Sequence, residues 1–95
     1  MFKFEFDENK SKANLKKHGV SFEEAISCFS DSQSIEFYDE AHSMDEDRFI
    51  LLGNSNQGRV LMVAYTIRDN MKVISTIRII SARRATKQEL QTYAY

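Results

Sequence analysis

Phe2, Phe4 and Phe6 alternate with Lys3 and Glu5 at the start of the chain. Period two over this length predicts a strand with one buried face across residues 1–7. Asp7 then has the chemistry of a helix cap, and the helix it starts runs to about His18, with Gly19 as a left-handed stop. Ala13 and Leu15 are the only strong apolar positions of that helix, so it must lie on the surface. A second start follows at once: Ser21 and Glu24 have the spacing of a capping box, and Val20 can staple against Ala25. Phe22, Ala25, Ile26 and Phe29 fall at i, i+3, i+4 and i+7, the core-facing stripe of an amphipathic helix that ends near Ser30 and Asp31.

Ile35 to Tyr38 reads as a short strand, and Asp39 to Asp47 as an exposed acidic loop. The runs RFILL (48–52) and RVLMVAYTI (59–67) are branched and aromatic, separated by GNSNQG, and predict a hairpin. Their apolar residues are consecutive, which predicts burial on both faces and central places in a sheet. Asp69-Asn70 supplies a turn, and residues 72–82 return as a further strand, so the three strands form an antiparallel meander that needs no parallel crossover. Thr86 and Glu89 repeat the capping-box spacing and predict a short C-terminal helix. The expected architecture is one α+β domain over residues 1–95. It has an antiparallel sheet of four to five strands, two N-terminal helices against one face and the short C-terminal helix.

Composition bounds this picture. At 95 residues, 42% hydrophobic and 28% charged, the chain falls well away from the disordered regime, and its core is modest. No run approaches the roughly 18 apolar residues of a membrane span, and the N-terminus lacks a basic-then-apolar leader pattern, so a cytoplasmic protein is expected. Cys28, the single cysteine, has no internal disulfide partner and reads as a core-facing or semi-buried thiol.

The net charge of −1 conceals segregation. Residues 1–22 carry five Lys against three acids, residues 23–47 carry nine acids and no Lys or Arg, and residues 48–95 carry eight Lys or Arg against Asp69 and Glu89. Such a chain can meet a polyanion with one surface and a basic partner with another. The cations concentrate where the last strand gives way to the last helix: Arg78, Arg83, Arg84 and Lys87 stand beside a helix N-terminus, a setting that suits phosphate. Strand parity limits the cluster, because Arg78 and Arg83 differ by five positions and share a face only if the strand ends or bulges near Ala82. Lys10, Asn14 and Lys17 share a stripe of the first helix with His18 near it, an arrangement that a solvated face explains equally well.

No GxGxxG, Walker, GxSxG or HExxH pattern is present, and the acids around His42 (Asp39, Asp45, Asp47) match no metal-ligand spacing. Cations, two His and several Tyr on a small sheet are the groups required for metal-independent RNA cleavage. A base takes the 2′-hydroxyl proton, cations stabilise the phosphorane, and an acid protonates the leaving oxygen. Composition alone does not choose this over simple RNA or protein binding.

Four segments carry a resemblance: FEFDENKSKANLKKHGVSFEEA (4–25), DEDRFILLG (45–53), GRVLMVAYTIR (58–68) and IRIISARRATKQELQTY (77–93). In that order, over nearly the whole chain, they resemble the BrnT family of bacterial toxins. The resemblance implies a RelE-like fold, cleavage of mRNA that arrests translation, no cofactor, and neutralisation by a basic, DNA-binding BrnA-type antitoxin in a heterotetramer. Operator DNA would be met indirectly, through the antitoxin. By matching position it marks Lys10, Asn14, Lys17, His18, Arg48, Arg59, Arg68, Arg78, Arg83 and Tyr93. Phe6 stands where the family commonly has Trp, and the turn between Arg68 and Arg78 is a few residues longer than usual.

The expected roles are phosphorane stabilisation by Arg83 and Arg48 with Arg68 as a further candidate, and proton transfer by His18 or Tyr93. Lys10, Asn14, Lys17, Arg59, Arg78 and Arg84 are expected to hold the RNA. His18 beside Gly19 has a structural alternative, capping its own helix. A different class of function is a non-catalytic module that binds protein or nucleic acid, and a further reading makes the acidic block the surface on which an antitoxin docks.

Overall fold

Each helix starts where a short polar side chain takes up free backbone N–H groups. In a computed structural model that describes residues 2–68 and 75–94, Asp7 accepts from the N–H groups of Asn9 and Lys10 at 2.9 and 3.1 Å and opens α1 (Glu8–His18). Gly19, at φ 71°, closes that helix by donating to the Leu15 carbonyl at 2.8 Å. Ser21 opens α2 (Phe22–Ser27), which runs into a 3₁₀ turn at Cys28–Ser30. Thr86 opens α3 (Lys87–Tyr93) with a complete capping box. The box expected at Ser21 is half formed: the Ser21 hydroxyl accepts from Glu24 N–H, but the Glu24 carboxylate turns to Arg59 and Ser55 instead.

The strands are β1 (Phe2–Glu5), β2 (Ile35–Tyr38), β3 (Arg48–Asn54), β4 (Val60–Arg68) and β5 (Ser75–Arg84), in one sheet of order β1-β5-β4-β3-β2. From β3 to β5 the sheet is the expected antiparallel meander, and β2 extends it antiparallel to β3. The Asp69-Asn70 turn and residues 72–74 of the expected last strand lie outside the described residues. β1 corrects the expectation that no parallel crossover is needed, because it pairs parallel with β5, Phe4 opposite Ile77 and Glu5 opposite Arg78. That direction brings Asp7 to the level where β1 stops covering β5, and α1 takes over the vacated edge.

There Asn14 substitutes for a strand. Its Nδ2 donates to the Ala82 carbonyl at 2.8 Å and its Oδ1 accepts from Ala82 N–H at 3.3 Å, while Nδ2 also donates to Val20 C=O at 2.8 Å. α1 consequently buries Ser11 and Asn14, and Leu15, one of its two apolar positions, is 51% exposed.

The core lies between the helices and one face of the sheet. Phe22 and Ala25 are buried as their spacing predicts, with Ile26 and Phe29 packed against them, and Phe29 meets Phe4 and Tyr65 at ring-centroid distances of 5.1 and 5.0 Å. Cys28 is fully buried against Gly53, where a Cβ would come within 3.1 Å of the Cys28 carbonyl oxygen; Gly53 is thus a strand residue selected by close approach. β3 and β4 hold central places, and burial on both faces holds only in part: the neighbours Leu51 and Leu52 on β3 and Tyr65 and Thr66 on β4 are all buried. Leu61, Val63 and Tyr65 are sealed against the core, whereas Val60, Met62 and Ala64 on the other face are only partly buried. α3 touches that second face's strand β3, and the rest of the face is left as a hollow.

Candidate active site

A bulge decides which cations meet. Ala64 pairs with Ser81 while Tyr65 pairs with Ile79, so Ile80 is the extra residue and the alternation of β5 shifts by one. Arg78, opposite Thr66, and Arg83, opposite Met62, therefore lie on the same face of the sheet, the one away from the core. Arg84 faces Leu61 across the ladder and takes the core side, where its charge adds to the positive field at Glu24.

The hollow on the open face has a volume of about 380 Å³. Ile50, Met62, Ala64, Ser81 and Ala82 line it together with Arg48, Arg83, His18, His42 and Asp39. The two histidines come from opposite sides: His18 from the end of α1 beside β5, His42 from a 3₁₀ turn (Glu40–His42) between β2 and β3. Asp39 holds His42, its carboxylate oxygens 3.0 and 3.2 Å from Nδ1. Asp39 is in turn fixed by backbone pairing, its N–H donating to the Arg48 carbonyl at 2.8 Å. In the neutral tautomer that places Nδ1–H on the carboxylate, Nε2 is the proton-accepting nitrogen. In the sequence, Asp39 and His42 stand out only as metal-ligand candidates whose spacing matches no known site. Among the described residues no three His, Cys, Asp or Glu side chains come together as a metal-holding group.

The two guanidinium groups are held differently. Arg83 donates to both oxygens of Glu89, at 2.8 and 2.9 Å, and to the Arg84 carbonyl at 3.2 Å. That grip holds the Glu89 carboxyl down at about 2, the Arg83 hydrogen bonds being the largest cause. Arg48 enters no ion pair among the described residues. At the C-terminal helix start, where an anion site is expected, Glu89 accepts from Thr86 N–H at 2.8 Å, so the protein's own carboxylate takes one of the donors there.

Lys10 and Lys17 line a smaller hollow with Asn14, Ile80 and Ser81, joined to the first through His18 and Ser81. Asn14 itself is buried, with its amide engaged by Val20 and Ala82, and is withdrawn from the residues expected to hold RNA. Arg59 is withdrawn likewise. Its guanidinium pairs with the buried Glu24, which also accepts from Ser55 Oγ at 2.7 Å, and it donates to the Gly19 carbonyl at 3.0 Å. The Arg59 hydrogen bond chiefly holds the Glu24 carboxyl below its ordinary range.

Arg68 and Arg78 are drawn together on Glu5, at 3.3 and 3.4 Å, outside the hollow but on the same face. Between Arg48 and Arg78 in the cross-strand row sits Thr66, fully buried, its hydroxyl without a hydrogen-bond partner among the described residues. Tyr93 does not line the hollow. Its hydroxyl donates to Asp31 at 2.5 Å, and that bond pushes its pKa up to about 12.

A search of curated proteins found no match. Among solved structures, the crystal structure of the Brucella abortus ribonuclease toxin BrnT at 1.1 Å is similar with a TM-score of 0.61. Its sequence is 24% identical, and the match covers 92% of this chain and all of that one, which shows a shared fold. No helix among the described residues is long and apolar enough to cross a membrane. The family model described as the ribonuclease toxin BrnT of type II toxin-antitoxin systems matches residues 6–89, from the first strand's end through the Arg83–Glu89 pair. The chain belongs to the BrnT family of ribonuclease toxins.

Proposed function

We propose that this chain is an endoribonuclease that cleaves mRNA without a metal ion, arrests translation, and is neutralised by a BrnA-type antitoxin. The observation that carries the reading is the convergence of Arg48, Arg83, His18 and the Asp39–His42 pair on one hollow of the sheet. Phosphate bound there meets two guanidinium groups, and the histidines flank it from opposite sides. In-line displacement at phosphorus has that requirement, since the attacking and leaving oxygens are on opposite sides of the phosphorus atom.

His42 Nε2 takes the proton of the 2′-hydroxyl as the 2′-oxygen bonds to phosphorus. His18 gives a proton to the 5′-oxygen as its bond to phosphorus breaks, leaving a 2′,3′-cyclic phosphate. Arg48 and Arg83 stabilise the charge that builds on the non-bridging oxygens, and each such donor is worth roughly 3 to 4 kcal/mol by analogy with oxyanion holes. Lys10 and Lys17 on one side, and Arg68 and Arg78 on the other, extend the positive track for the RNA backbone. Arg84 is assigned no contact with RNA, since it faces the helices. A heterotetramer with the antitoxin, and contact with operator DNA through the antitoxin alone, complete the reading.

The test is incubation of the purified chain with end-labelled RNA, with and without EDTA, beside an RNA carrying 2′-deoxy substitutions at the cleaved positions. Cleavage that survives EDTA, yields cyclic phosphate ends and stops at the 2′-deoxy positions is expected. Binding without cleavage would instead make the chain a non-catalytic RNA-binding module, and cleavage abolished by EDTA would overturn the metal-free mechanism.

A further inference from the structure

The outer strand β2 has β3 as its one strand neighbour, so one long edge is unpaired among the described residues. The Asp39 N–H to Arg48 C=O bond fixes the alternation along it. With Asp39 and Phe37 turned inward to β3, the backbone N–H and C=O groups of Glu36 and Tyr38 point outward. Sheet edges are ordinarily guarded by Lys, Pro or a bulge against pairing with another chain. Ile35-Glu36-Phe37-Tyr38 has none of these, and its guards are its length of 4 residues and the charge of Glu36. Phe37 and Tyr38 are 40% and 53% exposed, and Met44, in the segment that follows, is 90% exposed. Residues 31–47 hold seven acids and no Lys or Arg. Of these acids, Glu40, Asp45 and Glu46 are exposed and enter no ion pair among the described residues.

We infer that the free edge of β2 is the docking site for an extended, basic segment of the antitoxin, which pairs with Glu36 and Tyr38 as a sixth strand. The inference rests on the toxin-antitoxin reading for the existence of that partner; the mode and the surface come from the edge itself. Charge selects the occupant. A second copy of this chain paired edge to edge would set two acidic segments against each other, which like-charge pairs disfavour. RNA is repelled for the same reason. A basic segment with alternating apolar residues satisfies the backbone and the acids, its apolar face meeting one of Phe37 and Tyr38, which lie on opposite faces of the strand, and its cations the other. Location supplies the consequence. The strand leads directly into Asp39 and His42, so a partner chain continuing past Tyr38 reaches the mouth of the hollow and blocks it.

Fluorescein-labelled peptides test this: an eight-residue peptide of alternating Lys and Val, a Glu-Val counterpart, and the Lys-Val peptide N-methylated at every residue. The readouts are anisotropy titration and amide shifts of the ¹⁵N-labelled chain. The Lys-Val peptide is expected to shift the Glu36 and Tyr38 amides and to bind at least tenfold more tightly than either control. A similar loss is expected for Tyr38→Pro, whose missing N–H faces outward, and for the Glu40→Lys/Asp45→Lys/Glu46→Lys variant, which leaves the strand intact. Equal binding of the N-methylated peptide, shifts confined to the helices, or concentration-dependent dimers abolished by Tyr38→Pro would overturn the proposal, the last in favour of a second copy. Peptide binding is independent of RNA cleavage. Docking that holds in a chain that cleaves nothing indicts the nuclease reading, and cleavage without docking indicts the edge.

Discussion

Arg83 and Glu89 form a two-bond pair, with Nη1 and Nη2 at 2.8 and 2.9 Å from the two carboxylate oxygens. Glu89 also accepts from the Thr86 N–H, so one carboxylate closes the helix start and fixes the direction of the guanidinium that faces the hollow. The pair is a positioning device for Arg83 as well as a stabilising one.

Its contribution to stability has a defined pH window. The Glu89 carboxyl is lowered from 4.5 to about 2, so its stabilisation is complete above the ordinary unfolded value and is lost as pH falls toward about 2. Arg83 is partly exposed, which discounts the effect by screening. Glu89→Gln is expected to lower stability by about 1 to 2 kcal/mol at pH 7. The difference from the parent should shrink below about pH 4 and vanish near pH 2. Urea unfolding at a series of pH values measures it; a difference independent of pH would contradict the pairing.

Asn14 is expected to act on folding, not on RNA. Asn14→Ala leaves the Ala82 N–H and C=O and the Val20 C=O without their partner and should cost about 2 to 4 kcal/mol in chemical denaturation. RNA affinity measured where the variant is folded should stay within about twofold of the parent, whereas Lys17→Ala should weaken binding and reduce its salt dependence.

Thr66 supplies the opposite case. Removing most buried polar groups destabilises, but the Thr66 hydroxyl is buried without a partner among the described residues, and Val has the same shape. Thr66→Val is expected to be neutral or to stabilise by up to about 1 kcal/mol in thermal unfolding. A loss above that amount would show that the hydroxyl has a partner when the protein is in solution.

The two histidines are separated by leaving-group chemistry. His18→Ala and His42→Ala should each slow RNA cleavage by roughly 10² to 10⁴. A nucleoside 3′-(p-nitrophenyl phosphate), whose leaving group needs no proton, should restore most of the rate of His18→Ala and little of that of His42→Ala. The reverse pattern would exchange the acid and the base.

Much of this was written locally in the chain. The Phe2-Phe4-Phe6 alternation, the Phe22 to Phe29 stripe and the Thr86–Glu89 spacing each report on residues a few positions apart, and the elements they predict are present. What failed depends on distant pairing. Nothing near Arg59 announces that Glu24, 35 residues earlier, holds it. The Ile80 bulge, which puts Arg78 and Arg83 on one face, leaves no glycine or proline as a mark. The open face of β4 resembled a buried one because Met62 and Ala64, which line the hollow, are apolar. Asp39 and His42 had the i, i+3 spacing of a pair, a signal available in the sequence, but the acids around them suggested a metal first.

If RNA is cut in the hollow on the open face, adjacent arginines on opposite faces of the sheet must differ in their effect on cleavage. Single-turnover cleavage rates should fall roughly 10²- to 10³-fold for Arg48→Ala and for Arg83→Ala. Arg84→Ala, one residue away but turned toward the helices, should stay within about threefold of the parent. Full activity in Arg48→Ala and Arg83→Ala, or an Arg84→Ala loss as large as theirs, would place the chemistry elsewhere on the molecule.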